Sequence, residues 1–138
     1  MRITFVTLVL AALCGVVKAQ TATVVTATSR AIFSPSPDHG AVDAFGQPVV
    51  DHYDLEVIGT NGTGAIAFTK GLGKPTPISN EIAVTVPEFG GLTPNAVYRA
   101  VVAAVNATGA GRSPQSNSFG VPGPLPMPTA TAALRVVP

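Results

Sequence analysis

Charge is scarce in this sequence. Asp, Glu, Lys and Arg make up 11 % of its 138 residues, where about 25 % is typical of globular domains. Coiled coils, helical bundles and acidic disordered chains need more charged or helix-forming residues, so the composition argues against all three. The formal net charge of +1 creates no field that would hold a phosphate backbone, which argues against nucleic acid as a partner.

Cysteine and tryptophan are also scarce, with one Cys and no Trp. The chain has instead 14 Gly and 13 Pro, residues that mark turns and loops. Cys14 lies in an apolar N-terminal run, so the remainder of the chain cannot form an internal disulfide. A domain of this size must then be stabilised by core burial alone, and it can bury roughly two-thirds of its unfolded surface.

The first 19 residues have the parts of a secretory signal peptide. Arg2 precedes an apolar run over Ile3–Leu13, and the segment ends in Val17-Lys18-Ala19, with short side chains where signal peptidase reads. Lys18 ends the run short of the about 20 apolar residues that a membrane span needs. We expect cleavage after Ala19 and a soluble, secreted protein, with an uncleaved anchor as the alternative and with the periplasm and the cell surface left open.

Beyond Ala19, apolar and polar residues alternate over short stretches separated by Gly, Pro, Asn and Asp. Val49–Ile58 shows this strand-like period best, with Tyr53, Leu55 and Val57 on one face. The pattern predicts seven strands, at Thr21–Thr28, Arg30–Phe33, Val49–Ile58, Ala65–Lys70, Glu81–Val86, Ala96–Asn106 and Ser116–Val121. Short strands with turns between them indicate an all-β, seven-stranded Greek-key β-sandwich over residues 20–121.

The segment Gly91–Gly109 contains an ordered set of motifs. It reads Leu-x-Pro-x-x-x-Tyr, then small or β-branched residues at every second position, then Ala-x-Asn-x-x-Gly. This pattern resembles the sixth strand of a fibronectin type III domain. The matching residues are Leu92, Pro94, Tyr98, Ala100, Val102, Ala104, Asn106 and Gly109. The resemblance implies that Tyr98 forms a tyrosine corner, with a buried ring and a hydroxyl bonded to backbone near Leu92.

Two further segments extend the resemblance to residues 22–121. Pro48–Val57 is similar to the family's third strand, in which a proline leads to an inward tyrosine, here Tyr53. The second strand departs from the family, because Phe33 stands where a buried Trp is usual, and the smaller ring requires the core to close differently. The resemblance implies an immunoglobulin-like sandwich with these structural residues: Phe33, Tyr53, Leu92, Pro94, Tyr98 and Asn106.

The composition changes after Val121. Prolines stand at every second position, at Pro122, Pro124, Pro126 and Pro128, which forbids strand pairing and favours an extended, polyproline-like linker. The residues that follow resemble the entry to another such domain, where prolines precede a Leu-x-Val strand. Residues 122–138 are therefore either the start of a further repeat or a flexible Pro/Ala-rich tail.

No arrangement of residues in the sequence predicts catalysis. There are two histidines, too few for a credible set of nucleophile, base and orienting residue. Two groupings have ligand types that could hold a metal: His52, Asp54 and Glu56 on one strand face, and Asp38, His39 and Asp43 in one loop. A solvated strand face and an ordinary loop are the commoner reasons for such groupings, so we expect no enzyme activity, metal or cofactor.

Loops offer the remaining place for a binding surface. Loops at one end of a sandwich can form a continuous surface, here Asp38–Gln47 and Thr108–Gln115. Aromatic residues and arginine are favoured anchors of protein interfaces. The candidates are therefore Asp43 and Phe45 in the first loop and Arg112 in the second. The alternative for Phe45 is that its ring packs beneath its own loop.

These observations predict a secreted, non-catalytic module for extracellular protein–protein interaction or adhesion, acting through loops or exposed strand edges. One alternative is a spacer or carbohydrate-contacting accessory module of a polysaccharide-degrading system. Carbohydrate contact usually needs a flat row of exposed aromatic rings, and several of the seven aromatic residues beyond Ala19 are already assigned to the core. The other alternative is a spacer without a partner. The expected partner is thus an extracellular protein or a polysaccharide.

Overall fold

The computed structural model describes residues 21–60 and 64–124. The expected signal peptide at residues 1–19 and the tail beyond Pro124 lie outside the described residues. Within the described part of the chain, no helix is long and apolar enough to cross a membrane.

Almost all of the regular structure is β-strand. The strands are β1 (Thr23–Val24), β2 (Arg30–Phe33), β3 (His52–Gly59), β4 (Ile66–Gly73), β5 (Ile82–Thr85), β6 (Tyr98–Asn106), β7 (Gly109–Arg112) and β8 (Phe119–Gly120). A short 3₁₀ helix spans Pro87–Gly91, between β5 and β6.

The strands form two sheets. The smaller sheet is the antiparallel pair β2–β5, and the larger has the order β1-β8-β6-β3-β4, with β7 also paired to β6. All pairs are antiparallel except β1 with β8. The chain crosses between the sheets after β1, β2, β4 and β5, and this alternation is typical of an immunoglobulin-like Greek-key sandwich. The all-β sandwich predicted from the sequence is confirmed.

The core lies between the two sheets. Tyr53, Leu55 and Val57 of β3 are each at most 1 % exposed, as the alternation predicted. Ile82 of the smaller sheet packs in the same cluster, and Phe89 of the 3₁₀ helix completes it. Among the described residues, no polar or charged side chain is buried, so the core is apolar.

The first strand is shorter than predicted. Of Thr21–Thr28, only Thr23–Val24 is in a strand, and it pairs in parallel with β8. The Val25 N–H continues this contact by donating to the Gly120 carbonyl at 3.0 Å. Because β1 lies on the larger sheet, it does not cover the outer edge of β2.

The prediction that Thr108–Gln115 is wholly a loop is wrong. Gly109–Arg112 forms β7, paired with the end of β6. The strand stops before Pro114, since proline has no amide hydrogen to donate. The last strand, predicted at Ser116–Val121, is reduced to Phe119–Gly120, and β7 and β8 together take the place of the seventh strand.

Candidate functional site

The loop that precedes β3 is closed by its own backbone. Val42 and Pro48 form an isolated antiparallel bridge. The Asp43 N–H donates to the Gln47 carbonyl at 2.8 Å, and the Val49 N–H donates to the Ala41 carbonyl at 3.0 Å. Residues 41–49, called the Phe45 loop below, therefore form a small hairpin.

Asp43 holds the tip of this loop from within. Its Oδ1 accepts hydrogen bonds from the Phe45 and Gln47 amides, each at 2.8 Å. Gly46 has a φ of 78° and donates its amide to the Asp43 carbonyl at 3.1 Å, a left-handed conformation that glycine adopts without strain. The Asp43 carboxylate therefore stabilises the conformation of the loop and positions Phe45.

Phe45 stands at the tip with its side chain in solvent. It is 89 % exposed, so the alternative in which the ring packs beneath the loop is wrong. Val42 of the same loop is 63 % exposed. The Phe45 loop therefore presents an apolar tip on an ordered backbone.

Arg112 lies on a strand and is already paired. On β7 it stands opposite Ala103 of β6. Its Nη2 donates to Glu56 Oε1 at 2.8 Å and its Nε to Glu56 Oε2 at 3.1 Å. This two-point hydrogen bonding lowers the pKa of Glu56 and raises that of Arg112. Among the described residues, no hydrogen bond or ion pair joins Arg112 to Asp43 or Phe45.

The ends of the two predicted loops do approach each other. A shallow cavity of about 320 Å³ is lined by Ser36 and Asp38 on one side and by Asn106 and Thr108 on the other. Asn106 crosses this gap, since its Nδ2 donates to the Val49 carbonyl at 2.7 Å. The base of the Phe45 loop is therefore tied to the turn between β6 and β7.

The aromatic residues expected from the resemblance anchor loops through their hydroxyl groups. The Tyr98 hydroxyl accepts a hydrogen bond from the Thr93 amide at 3.2 Å. The Tyr53 hydroxyl accepts from the Ser36 amide at 3.0 Å and lies 2.9 Å from Nδ1 of His39. Leu92 is buried, and Pro94 forms a bridge with Val121. Phe33 packs edge-on against Tyr53, with ring centroids 5.3 Å apart, but remains half-buried.

Several members of the two groupings considered for a metal have other partners. His39 contacts the Tyr53 hydroxyl, and Glu56 is taken by Arg112. His52 Nε2 and Asp54 Oδ1 are 3.7 Å apart. Within residues 21–60 and 64–124, no three His, Cys, Asp or Glu side chains are arranged to hold a metal ion.

Replacing Asp43 by alanine is expected to loosen the Phe45 loop. The substitution removes the acceptor for two amides, and we expect a loss of about 1 kcal/mol in the free energy of unfolding with faster hydrogen exchange at Phe45 and Gln47. Asp43→Asn keeps the Oδ1 acceptor and is the matched control, expected to lose less. Unchanged exchange in Asp43→Ala would show that the carboxylate does not hold the tip.

The Glu56–Arg112 pair predicts a pH-dependent contribution to stability. Because the pKa of Glu56 is lower in the folded chain than its ordinary value, ionised Glu56 stabilises the fold above the unfolded-state pKa, and this contribution is lost as the pH falls through the folded-state pKa. Glu56→Gln should therefore be less stable than the wild type at neutral pH and equal to it in acid. Urea unfolding at both pH values measures the difference.

The control for this comparison is Glu81→Gln. Glu81 is exposed and has no ion pair among the described residues, so its substitution should give no comparable pH-dependent difference. An equal deficit of Glu56→Gln at neutral and acid pH would mean that the ion pair is not its cause.

Comparison with known proteins finds similarity at the level of solved structures. No family model matches the chain, and no curated protein matches it. Among solved structures, the chain is similar to the crystal structure of the FN5 domain of Drosophila Lar, with 24 % sequence identity and a TM-score of 0.42. The match covers 75 % of this chain and 91 % of that chain.

Proposed function

We propose that this chain is a secreted, non-catalytic module that binds another extracellular protein through the Phe45 loop. The observation that carries the proposal is the 89 % exposure of Phe45 on a loop that Asp43 holds closed. Phenylalanine in water at the tip of an ordered loop gains free energy when a partner covers it. Since the loop is ordered beforehand, binding loses less conformational entropy.

Aromatic side chains are common anchors of protein interfaces, where a few central residues supply most of the binding free energy. Phe45 has Val42 beside it as a second exposed apolar residue in the same loop. Backbone amides at the tip are already engaged with Asp43. The loop can therefore present an apolar contact without leaving those amides unpaired in an interface.

The secreted, non-catalytic character is supported by the sequence. The pattern of residues 1–19 is that of a cleaved signal peptide. Two histidines in 138 residues leave little material for general acid–base chemistry, and His39 already contacts the Tyr53 hydroxyl.

A polysaccharide partner has less support. Six of the seven aromatic residues beyond Ala19 are buried or half-buried: Phe33, Tyr53, Phe68, Phe89, Tyr98 and Phe119. Phe45 alone cannot form the flat row of rings on which sugar units stack. Protein binding is therefore the function that we propose.

The test uses the chain from Gln20 to Pro138, immobilised and exposed in parallel to surface extract of the producing organism and to insoluble polysaccharides. A retained protein is identified, purified and titrated against the wild type and Phe45→Ala. We expect Phe45→Ala to raise the Kd about tenfold or more, since truncation of an anchor costs at least about 1.4 kcal/mol. Ile78→Ala is the matched control, because Ile78 is 80 % exposed on a different loop, and its Kd should equal the wild-type value.

Three outcomes contradict the proposal. Retention by polysaccharide alone would make the chain a carbohydrate-contacting module. A Kd that Phe45→Ala leaves unchanged would place the interface elsewhere, and Arg112→Ala would then test the outer face of the larger sheet. Retention by neither material would favour a spacer.

A further inference from the structure

A groove runs along the outer edge of β2, between β2 and the part of the larger sheet that contains β6 to β8. One part, of about 330 Å³, is lined by residues that include Phe33, Val102, Ala104 and Gly111. A second part, of about 170 Å³, is lined by Ala31, Ala100 and Val102 among others. Val102 lines both parts, so they adjoin, and together they are called the β2 groove.

The edge of β2 that faces this groove has free backbone groups. The Val86 amide donates to the Ser29 carbonyl, and these residues stand opposite each other when the register of β2 with β5 is continued by one residue. Bonded and non-bonded pairs alternate along an antiparallel ladder, so the backbone groups of Arg30 and Ile32 point away from β5. Among the described residues, β2 pairs with no strand other than β5. This edge can therefore accept one more strand.

The groove is lined mainly by apolar residues, although Ser34, Ser36, Arg112 and Ser113 also border its first part and Thr23, Arg30 and Asn117 its second. Ala31, Phe33, Val102 and Ala104 all pack against the core, yet each is only half-buried. Their remaining exposure is apolar surface that a further strand would remove from water. With Ala31, Val102 and Ala104 in its lining, the groove suits an extended segment with small or medium apolar side chains at every second position.

The residues at the N-terminus of the mature chain cannot pair with the β2 edge. β1 pairs with β8, on the larger sheet. Cleavage after Ala19 would leave three residues ahead of β1, Gln20 to Ala22, which are too few to run along β2. A strand that pairs with this edge would have to come from another part of the chain or from another molecule.

The C-terminal sequence contains a segment of the required type. Residues 129–137 read Thr-Ala-Thr-Ala-Ala-Leu-Arg-Val-Val, without proline or glycine. In an extended conformation, Ala130, Ala132, Leu134 and Val136 would lie on one face. Nine residues extended span about 30 Å, more than the four residues of β2 require.

The proline-rich connection to residues 129–137 favours binding of this segment to a second copy of the chain over binding to its own domain. Prolines occupy every second position from Pro122 to Pro128, and such a sequence acts as a semi-rigid spacer of about 3.1 Å per residue. It begins where Val121 bridges Pro94 and the Gly123 amide donates to Asn95 Oδ1 at 3.0 Å. A sequence of this type favours contact with a second copy over a turn back onto its own domain.

We propose that residues 129–137 of one copy add as a strand to the β2 edge of a second copy and place Leu134 in the β2 groove. The contact joins two different surfaces, so it continues from copy to copy in a head-to-tail chain. This association does not involve Phe45 or its loop. Its test is therefore independent of the test of the proposed partner.

Sedimentation velocity of the chain from Gln20 to Pro138, over a range of concentrations from micromolar to millimolar, measures the association. We expect the average mass to rise to at least that of two chains for the wild type and to remain that of one chain for Leu134→Asp. Thr131→Asp introduces the same charge on the other face of the segment and should associate as the wild type does. Phe45→Ala should also associate normally.

Hydrogen exchange and a β2 variant locate the contact. At high concentration, the Arg30 and Ile32 amides should exchange about tenfold more slowly in the wild type than in Leu134→Asp, because only a paired edge protects them. Ile32→Pro removes an outward-facing N–H from an edge strand, where proline is tolerated, and should also abolish association. A wild type that is monomeric at every concentration, Leu134→Asp that still associates, or unprotected β2 amides in the assembly would each overturn the proposal.

Discussion

Leu55→Ala is expected to lower the free energy of unfolding by about 3 kcal/mol. Leu55 is 1 % exposed and lies on β3, which is hydrogen-bonded to β4 on one side and to β6 on the other. Because both neighbours hold the strand in place, the surrounding chain can collapse only partly into the space that the substitution leaves. The loss combines the transfer free energy of the missing methyl groups with that of the remaining cavity.

The loss matters because nothing covalent supports this core. Domains of this kind are stable by about 5–15 kcal/mol in total, and the only Cys is Cys14. Urea unfolding followed by circular dichroism measures the change, since the chain has no Trp, and the urea dependence should keep its slope. Ile78→Ala, at a residue that is 80 % exposed, should cost less than about 0.5 kcal/mol. Equal costs for the two substitutions would show that Leu55 does not lie in the core.

Short sequence patterns correctly predicted the features that depend only on neighbouring residues in the chain. Alternation along β3 identified Tyr53, Leu55 and Val57 as one buried face, because a strand turns successive side chains to opposite sides whatever its neighbours are. The Leu-x-Pro-x-x-x-Tyr motif likewise places the Tyr98 hydroxyl within five residues of its donor, the Thr93 amide.

Features that depend on how the strands pair were missed. Gly109–Arg112 has a sequence with low strand propensity, and it is a strand because it continues antiparallel to β6 across a short turn. The partner of Arg112 is Glu56, 56 residues earlier, and the register of three strands brings them together. The pattern of apolar and polar residues in one strand does not reveal how that strand aligns with its neighbours. The pairing of Arg112 with Glu56 was therefore not predicted.

The β2 groove is open because β1 pairs with β8 and not with β2. Thr21–Thr28 has the composition of a strand, but the sequence does not say which neighbour it joins. Two of its residues pair with β8, and the edge of β2 is left open as a result. Phe33 adds to the opening, since its ring is half-buried on the groove wall.

Asn106→Ala is expected to cost about 2 kcal/mol, because several backbone groups lose their partner at once. Asn106 Nδ2 donates to the Val49 carbonyl at 2.7 Å. Its Oδ1 accepts from the Thr108 amide at 2.9 Å, the Thr108 hydroxyl at 2.7 Å and the Gly109 amide at 3.2 Å. One side chain thus fixes the turn between β6 and β7 and ties it to the chain that enters β3.

Asn106→Asp separates the donor role of Asn106 from its acceptor role, and Asn117→Ala is the control. Asn106→Asp keeps the acceptor for the turn but sets a carboxylate oxygen against the Val49 carbonyl, so it should lose about half as much stability at neutral pH. Asn117→Ala, at an exposed Asn whose Nδ2 donates to the Thr23 hydroxyl at 2.9 Å, should cost less than about 0.5 kcal/mol. Urea unfolding gives all three values, and an Asn106→Ala loss no larger than that of Asn117→Ala would contradict the assignment.

The same substitution connects stability to the proposed function. The Val49 amide closes the Phe45 loop by donating to the Ala41 carbonyl at 3.0 Å, and the Val49 carbonyl is the group that Asn106 holds. Asn106→Ala should therefore speed hydrogen exchange at Val49 and raise the Kd for a protein partner, although by less than Phe45→Ala, because the anchor itself remains. If exchange at Val49 rises and the Kd does not change, order at the base of the loop does not contribute to binding, and the apolar tip alone supplies the affinity.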